Sequence, residues 1–285
     1  MLQWYYLALI SSVLLGASTL IEKKTLKKEH AMAFTSSFAI IVALISLIFL
    51  PFANFNISLL SVGLIYAVSV IVALTYWLTA RVYKHGSVSA ASPVYAALPS
   101  LFVPILAFLF LGEKLGTAQY AFIGTIIIAT YMIMFTGKSQ FENKKYIHWL
   151  ILASLLTAVS TIGMKYIFDF LNVTPYTYLI LLEIFIAINM TIGMQLKYGG
   201  VKEIFKNTLL YKKEIASISL LITAYRITYY FSAFTAKISL VWPLSNVPNV
   251  IILVFLGGLL FKEGAIKKKA ALAIILLAAA YLIVI

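Results

Sequence analysis

SVSAASPVYAALPSLFVPILAFLFLGE, residues 87–113, and KISLVWPLSNVPNVIILVFLGGLLFKE, residues 237–263, superimpose without a gap at an offset of 150. Ser89 and Ser239, Pro93 and Pro243, Leu106 and Leu256, Leu109 and Leu259, and Glu113 and Glu263 are identical. Each copy opens with serine and proline, continues Leu-rich, and ends in Gly-Glu or Lys-Glu, with twenty residues from proline to glutamate in both. An apolar run of about 20 residues matches the hydrocarbon thickness of a bilayer when it is coiled into a helix. A second match, at an offset of 142, pairs Leu14, Ser18, Thr19 and Lys23 with Leu156, Ser160, Thr161 and Lys165. The difference between the two offsets fits a longer connection, 197–214, in the second half of the chain.

The composition extends this reading to the whole chain. Of its 285 residues, 63% are hydrophobic and only 11% charged, whereas soluble domains carry roughly a quarter charged residues. The solvent must be lipid, where backbone hydrogen bonding admits only helices or closed barrels. The long unbroken apolar runs select helices over barrel strands. Spans are expected at 3–21, 31–50, 59–82, 88–111, 116–136, 147–170, 174–196, 215–236, 238–261 and 268–285. The stretch VKEIFKNTLLYKK inside 197–214 is suited to lie along the interface. With no cysteine, disulfides, thiol catalysis and thiolate metal sites are excluded. No cleavable signal is expected, because the first apolar stretch lacks a basic leader.

The net charge of +13 reflects topology rather than nucleic-acid binding, because the basic residues sit between apolar runs. Alternate loops hold eighteen Lys and Arg, among them Lys23, Lys24, Lys27, Lys28, Arg81, Lys138, Lys212 and Lys267, against two, Lys114 and Lys237, in the opposite set. The positive-inside rule then places both termini outside the cytoplasmic membrane. Each repeat has five spans, an odd number, so the halves are expected to be inverted. The expected fold is an all-α membrane protein of ten transmembrane helices in two inverted five-helix repeats, 1–138 and 139–285, around a central cavity.

The serine and proline opening and the Leu-rich run to a terminal glutamate resemble the EamA repeat of the drug/metabolite transporter superfamily. The resemblance covers essentially the whole chain. It implies alternating access around the fourth and ninth spans and a substrate among amino acids, other small metabolites, nucleotide sugars or cations. The chain departs from the family in the loop after the second span, PFANFNIS, which carries no charge where the family is commonly basic.

Pro93 and Pro99 in the fourth span, and Pro243 and Pro248 in the ninth, are candidate hinges, since each removes a backbone donor. They recur in both halves, although proline kinks without function are common in membrane helices. Glu183 and Arg226 fall near the middle of the seventh and eighth spans, where a charge costs roughly 2.5–3.5 kcal/mol on insertion scales. Either they form a structural ion pair, or they face the cavity and hold opposite poles of a zwitterion. At the 150-residue offset, Arg226 aligns with Tyr76. Tyr229, Trp242, Asn246 and Asn249, with Ser92 and Tyr95 on the fourth span, complete the candidate binding set. Interhelical packing is the bland alternative for each of them. Lys165 and Asp169, one turn apart, are expected to pair.

The chain therefore reads as a carrier of a small polar metabolite such as an amino acid, with proton coupling open. An organic-cation transporter using Glu183 as counter-ion, or a nucleotide-sugar or organophosphate carrier, is the alternative. No HExxH or GxSxG motif supports an enzyme. The reading calls for no metal or cofactor and no nucleic acid. Its expected partners are the lipid bilayer and a small-molecule substrate, with the chain a monomer or homodimer.

Overall fold

The computed structural model describes residues 3–26, 31–85, 88–135, 144–198 and 200–261 and scattered positions between 268 and 282. Among the described residues all regular structure is helical: α1 (Trp4–Leu26), α2 (Ala31–Ser46, continued by a 3-10 turn Leu47–Phe52), α3 (Leu59–His85), α4 (Val88–Leu111), α5 (Thr117–Phe135), α6 (Lys144–Leu171), α7 (Pro175–Tyr198), α8 (Lys202–Leu210), α9 (Lys212–Thr235) and α10 (Ile238–Phe261). Each of the first nine expected spans falls on one of these helices, and the tenth, 268–285, lies mostly outside the described residues. The chain is an all-α, multi-pass membrane protein.

Six of the described helices are long and apolar enough to cross a bilayer on composition alone. α9 is not among them, although its 24 residues are long enough at 1.5 Å each. Its polar residues are turned inward instead. Ile215, Ile218, Ser219, Ile222, Thr223, Arg226, Tyr229, Tyr230 and Ala233 form one buried stripe at helical spacing. A span that hides its polar face inside a bundle need not be apolar all round. The outer surface carries large apolar side chains, with Ile48, Leu59, Phe110, Leu196 and Ile274 all exposed. The short helix α8 exposes Phe205, Leu209 and Leu210, the apolar surface of a segment lying along an interface.

α1 runs to Leu26, five residues past the expected end at 21. Glu22 and Lys23 therefore belong to the helix, and Lys23 is only 3% exposed. The prolines break neither long helix. Pro243 and Pro248 lie inside α10, and Pro93 and Pro99 fall within the bounds of α4. Beside Pro248, the Asn249 N–H donates to Ser12 Oγ of α1 at 2.7 Å, a side chain serving a backbone group where the ladder is disturbed.

The two halves of the chain share one core. α1 packs on α9 and α10, α3 and α4 pack on α6, and α2 packs on α7. One face of the bundle is tied by polar contacts between helix ends. Ser232 Oγ donates to the Trp4 carbonyl at 2.8 Å, and the Thr177 hydroxyl exchanges hydrogen bonds with the Asn54 backbone at 2.9 Å. On the same face, Glu113 accepts from the backbone N–H groups of Ile238 and Ser239 at 2.8 and 3.1 Å. This carboxylate caps the N-terminus of α10, where unpaired donors and the helix dipole both favour a negative charge. Gly112, at φ +66°, makes the left-handed turn that aims Glu113 there. Lys165 Nζ and Asp169 pair at 2.8 Å, as their spacing implies. Glu263, the counterpart of Glu113, lies outside the described residues.

Small residues set the closest approaches between helices. A Cβ added at Gly16 would stand 3.1 Å from Ile252 Cγ2 of α10, so α1 lies against α10 through a bare backbone. Gly16→Val should cost about 1–3 kcal/mol through overpacking. Thermal unfolding of the purified variant in detergent should show a lowered midpoint, and Ile252→Ala in the same chain should recover part of the loss.

Candidate functional site

The inward polar stripe of α9 converges with α1, α3, α4, α6, α7 and α10 on a cavity of about 160 Å³. The positions that line it follow the two sequence offsets. Ser18 and Thr19 of α1 line it together with Ser160 and Thr161 of α6, their counterparts 142 residues on. Tyr76 of α3 and Arg226 of α9 line it and are related by 150. Thr79 and Tyr229 do the same. The polar content is not symmetric, however. Arg226 stands opposite a tyrosine, and Glu22 corresponds to Met164, which also lines the cavity.

Arg226 is the centre of the site. Its Nη1 donates to Glu183 Oε1 of α7 and its Nη2 to the Tyr76 hydroxyl of α3. The guanidinium carbon also lies 5.4 Å from the centroid of the Tyr76 ring. The ion pair is buried, with Arg226 5% and Glu183 1% exposed. In a low-dielectric interior such a pair is held together because either charge alone would be left without solvent. Glu183 sits behind the wall, and Arg226 is the member of the pair that reaches the cavity. Guanidinium has five N–H donors, so Arg226 retains donors for a ligand while holding Glu183 and Tyr76.

Of the other expected residues, Tyr229, Trp242, Asn246, Asn249 and Tyr95 all line the cavity. Tyr229 and Trp242 meet edge to face, with centroids 6.1 Å apart. The Tyr95 hydroxyl bonds Thr157 of α6 at 2.7 Å. Asn246 Nδ2 folds back and donates to the Trp242 carbonyl at 2.8 Å. Besides the Tyr229 hydroxyl, two buried polar atoms of the lining, Trp242 Nε1 and Asn249 Oδ1, have no hydrogen-bond partner among the described residues. One is a donor and the other an acceptor. Buried polar atoms are rarely left so, and both belong to residues that line the cavity. Pro243 is buried, Pro248 and the lining residue Tyr95 are half-buried, and Pro99 is buried away from the lining. The side chains of Ser92 and Pro93 lie outside the described residues.

Sequence reasoning did not pick out Glu22, Tyr178, Tyr225 or the hydroxyls of Ser18, Thr19, Ser160 and Thr161 as lining. The hydroxyls had a signal, since the 142-residue match falls on them. Glu22 had none, because a charge where an apolar run stops reads as a helix end. The tyrosines are too frequent in such a chain to be singled out.

Residues 2–135 match the EamA-like transporter family model. No curated protein sequence matches the chain. A solved crystal structure resembles it at a TM-score of 0.65 and 14% sequence identity, over 97% of this chain and 96% of the other. At that identity the likeness speaks for the fold alone.

The ion pair makes a direct prediction. Glu183→Leu or Arg226→Leu alone should cost about 3–5 kcal/mol by stranding a buried charge, and the double replacement should recover most of it. Thermal midpoints of the three purified variants decide this. A double variant as unstable as the sum of the singles would mean that the two charges act independently.

Proposed function

We propose that this chain is a member of the EamA-like transporter family, whose model its residues 2–135 match, and that it carries a small polar metabolite, an amino acid or similar zwitterion, by alternating access. Its site is the cavity at Arg226, and the halves 1–138 and 139–285 act as two inverted repeats on either side. The observation that supports this best is the pair of unpartnered atoms, Trp242 Nε1 and Asn249 Oδ1, beside a guanidinium with donors to spare. A solute carboxylate can accept from Arg226 and Trp242 while Asn249 accepts from an N–H or O–H on the solute. Tyr229, Asn246 and Tyr95 complete the described binding surface. Because Glu183 already neutralises Arg226, recognition of the carboxylate is by directed hydrogen bonds more than by net charge. The same pairing weighs against organophosphates and nucleotide sugars, which call for cations not already spent. It also weighs against organic cations held by Glu183, which does not reach the cavity.

Pro93, Pro99, Pro243 and Pro248 are the hinges in this reading, and Glu183 is the support that orients Arg226. The protein resides in the cytoplasmic membrane as a monomer or homodimer. Its positive loops face the cytoplasm and both termini face out, so the face tied by Glu113, Ser232 and Thr177 is external. Those ties are what a carrier closed to the outside would hold. Purified protein should be stabilised by an amino acid or amine in a thermal-shift screen that also includes sugars and nucleotides. Trp242→Ala and Asn246→Ala should cut liposome flux of that hit by about tenfold or more, a loss of about 1.4 kcal/mol in transition-state binding. Stabilisation by nucleotide sugars alone, or flux unchanged in both variants, would overturn the reading. For topology, a reporter active only in the cytoplasm should be silent when fused after Ile285.

A further inference from the structure

Among the described residues the cavity lining contains two formal charges, Arg226 and Glu22. Arg226 is neutralised by Glu183. Glu22 lies on the last full turns of α1, faces the same space, and has no hydrogen bond or ion pair among the described residues. Its neighbour Lys23 is not part of the lining. Apart from Arg226 and Glu22, every titratable group of the lining among the described residues is a tyrosine, with no second carboxylate to compete for a cation. Tyr76 stands within electrostatic reach of both Arg226 and Glu22.

We propose that Glu22 is the cation-binding group of the cavity and takes the ammonium pole of an amine or amino-acid solute. The inference rests on the carrier reading above and sharpens it to a substrate class. Once the Arg226–Glu183 pair is set aside, Glu22 is the one acidic group of the described lining. The aromatic rings supply the rest of a cation site. Six tyrosines and Trp242 line the space, and the negative faces of such rings attract an ammonium group most strongly where water is scarce. An anion without an ammonium group would meet an uncompensated carboxylate. Met164, at the position equivalent to Glu22 in the second half, also lines the cavity. The wall therefore closes around an uncharged side chain at that position, and packing does not require a carboxylate at Glu22.

Three probes of one size separate the charges: n-butylammonium, n-butanol and butyrate, titrated against the purified full chain with the thermal midpoint as readout. Butylammonium should stabilise the wild type, while butanol and butyrate should do so at least about tenfold more weakly. Glu22→Gln should lose the preference for butylammonium, and Glu22→Asp should keep part of it, both with midpoints in the absence of probe close to wild type. Equal butylammonium response in wild type and Glu22→Gln would overturn the proposal. So would equal response to butanol, or no butylammonium response in the wild type. A midpoint that varies with pH in the wild type but not in Glu22→Gln, without any ammonium response, would assign Glu22 a proton alone and also overturn it. Liposome flux of the screened hit is measured separately. Flux that persists without charge preference removes this inference and leaves the carrier reading standing, whereas lost flux with ammonium binding intact does the reverse.

Discussion

A charge placed in hydrocarbon must find a partner within the protein, and the architecture around Arg226 is organised by that requirement. Its guanidinium joins α9 to Glu183 on α7 and to Tyr76 on α3, three helices that lipid alone would not hold in register. Helices in a bilayer gain little from hydrophobic association with one another, because lipid tails are as apolar as their side chains. Directed contacts and close packing therefore decide which faces meet. The charge cluster does this at the depth of the cavity, and Gly16 against Ile252 does it between α1 and α10.

The same requirement explains why α9 can span a membrane with a composition that would not mark it as a span. Its polar stripe is buried against the other helices, and its remaining surface faces lipid. It also explains the cap at Glu113. The N-terminus of α10 leaves donors unpaired, and the carboxylate at the end of α4 reaches across to satisfy them. The glutamate that ends the repeated segment thus serves a structural purpose, joining the first copy to the second.

The function we propose rests on an asymmetry between positions that the two sequence offsets pair. Positions related by the two offsets line the same cavity, yet charge is concentrated at Glu22 and Arg226, opposite Met164 and Tyr76. A symmetric wall can bind only what is alike at both ends. A wall that carries both a committed guanidinium and a carboxylate unpaired among the described residues is the basis on which we propose a solute with two different poles. The aromatic lining keeps the space apolar enough for those few polar groups to dominate recognition.

Much of the fold was legible in the sequence because membrane spans are written in runs of apolar residues, and bilayer thickness sets their length whatever their neighbours. The first nine spans could be placed on that basis, and the candidate lining on α9 and α10 followed from polar residues at helical spacing. Arg226 and Glu183 stood out because mid-span charges are costly, but spacing along one helix cannot tell whether two charges on different helices meet. Only the packing of α7 against α9 showed that they pair and that Glu183 stands behind the wall. Glu22 was hidden for the opposite reason. At the edge of an apolar run a charge is cheap and uninformative in sequence, and it became part of the site only because α1 continues past that edge and turns this residue toward the shared interior. Element positions are one-dimensional properties of hydropathy, whereas the chemistry of the site depends on which helix faces converge, and tertiary packing alone decides that.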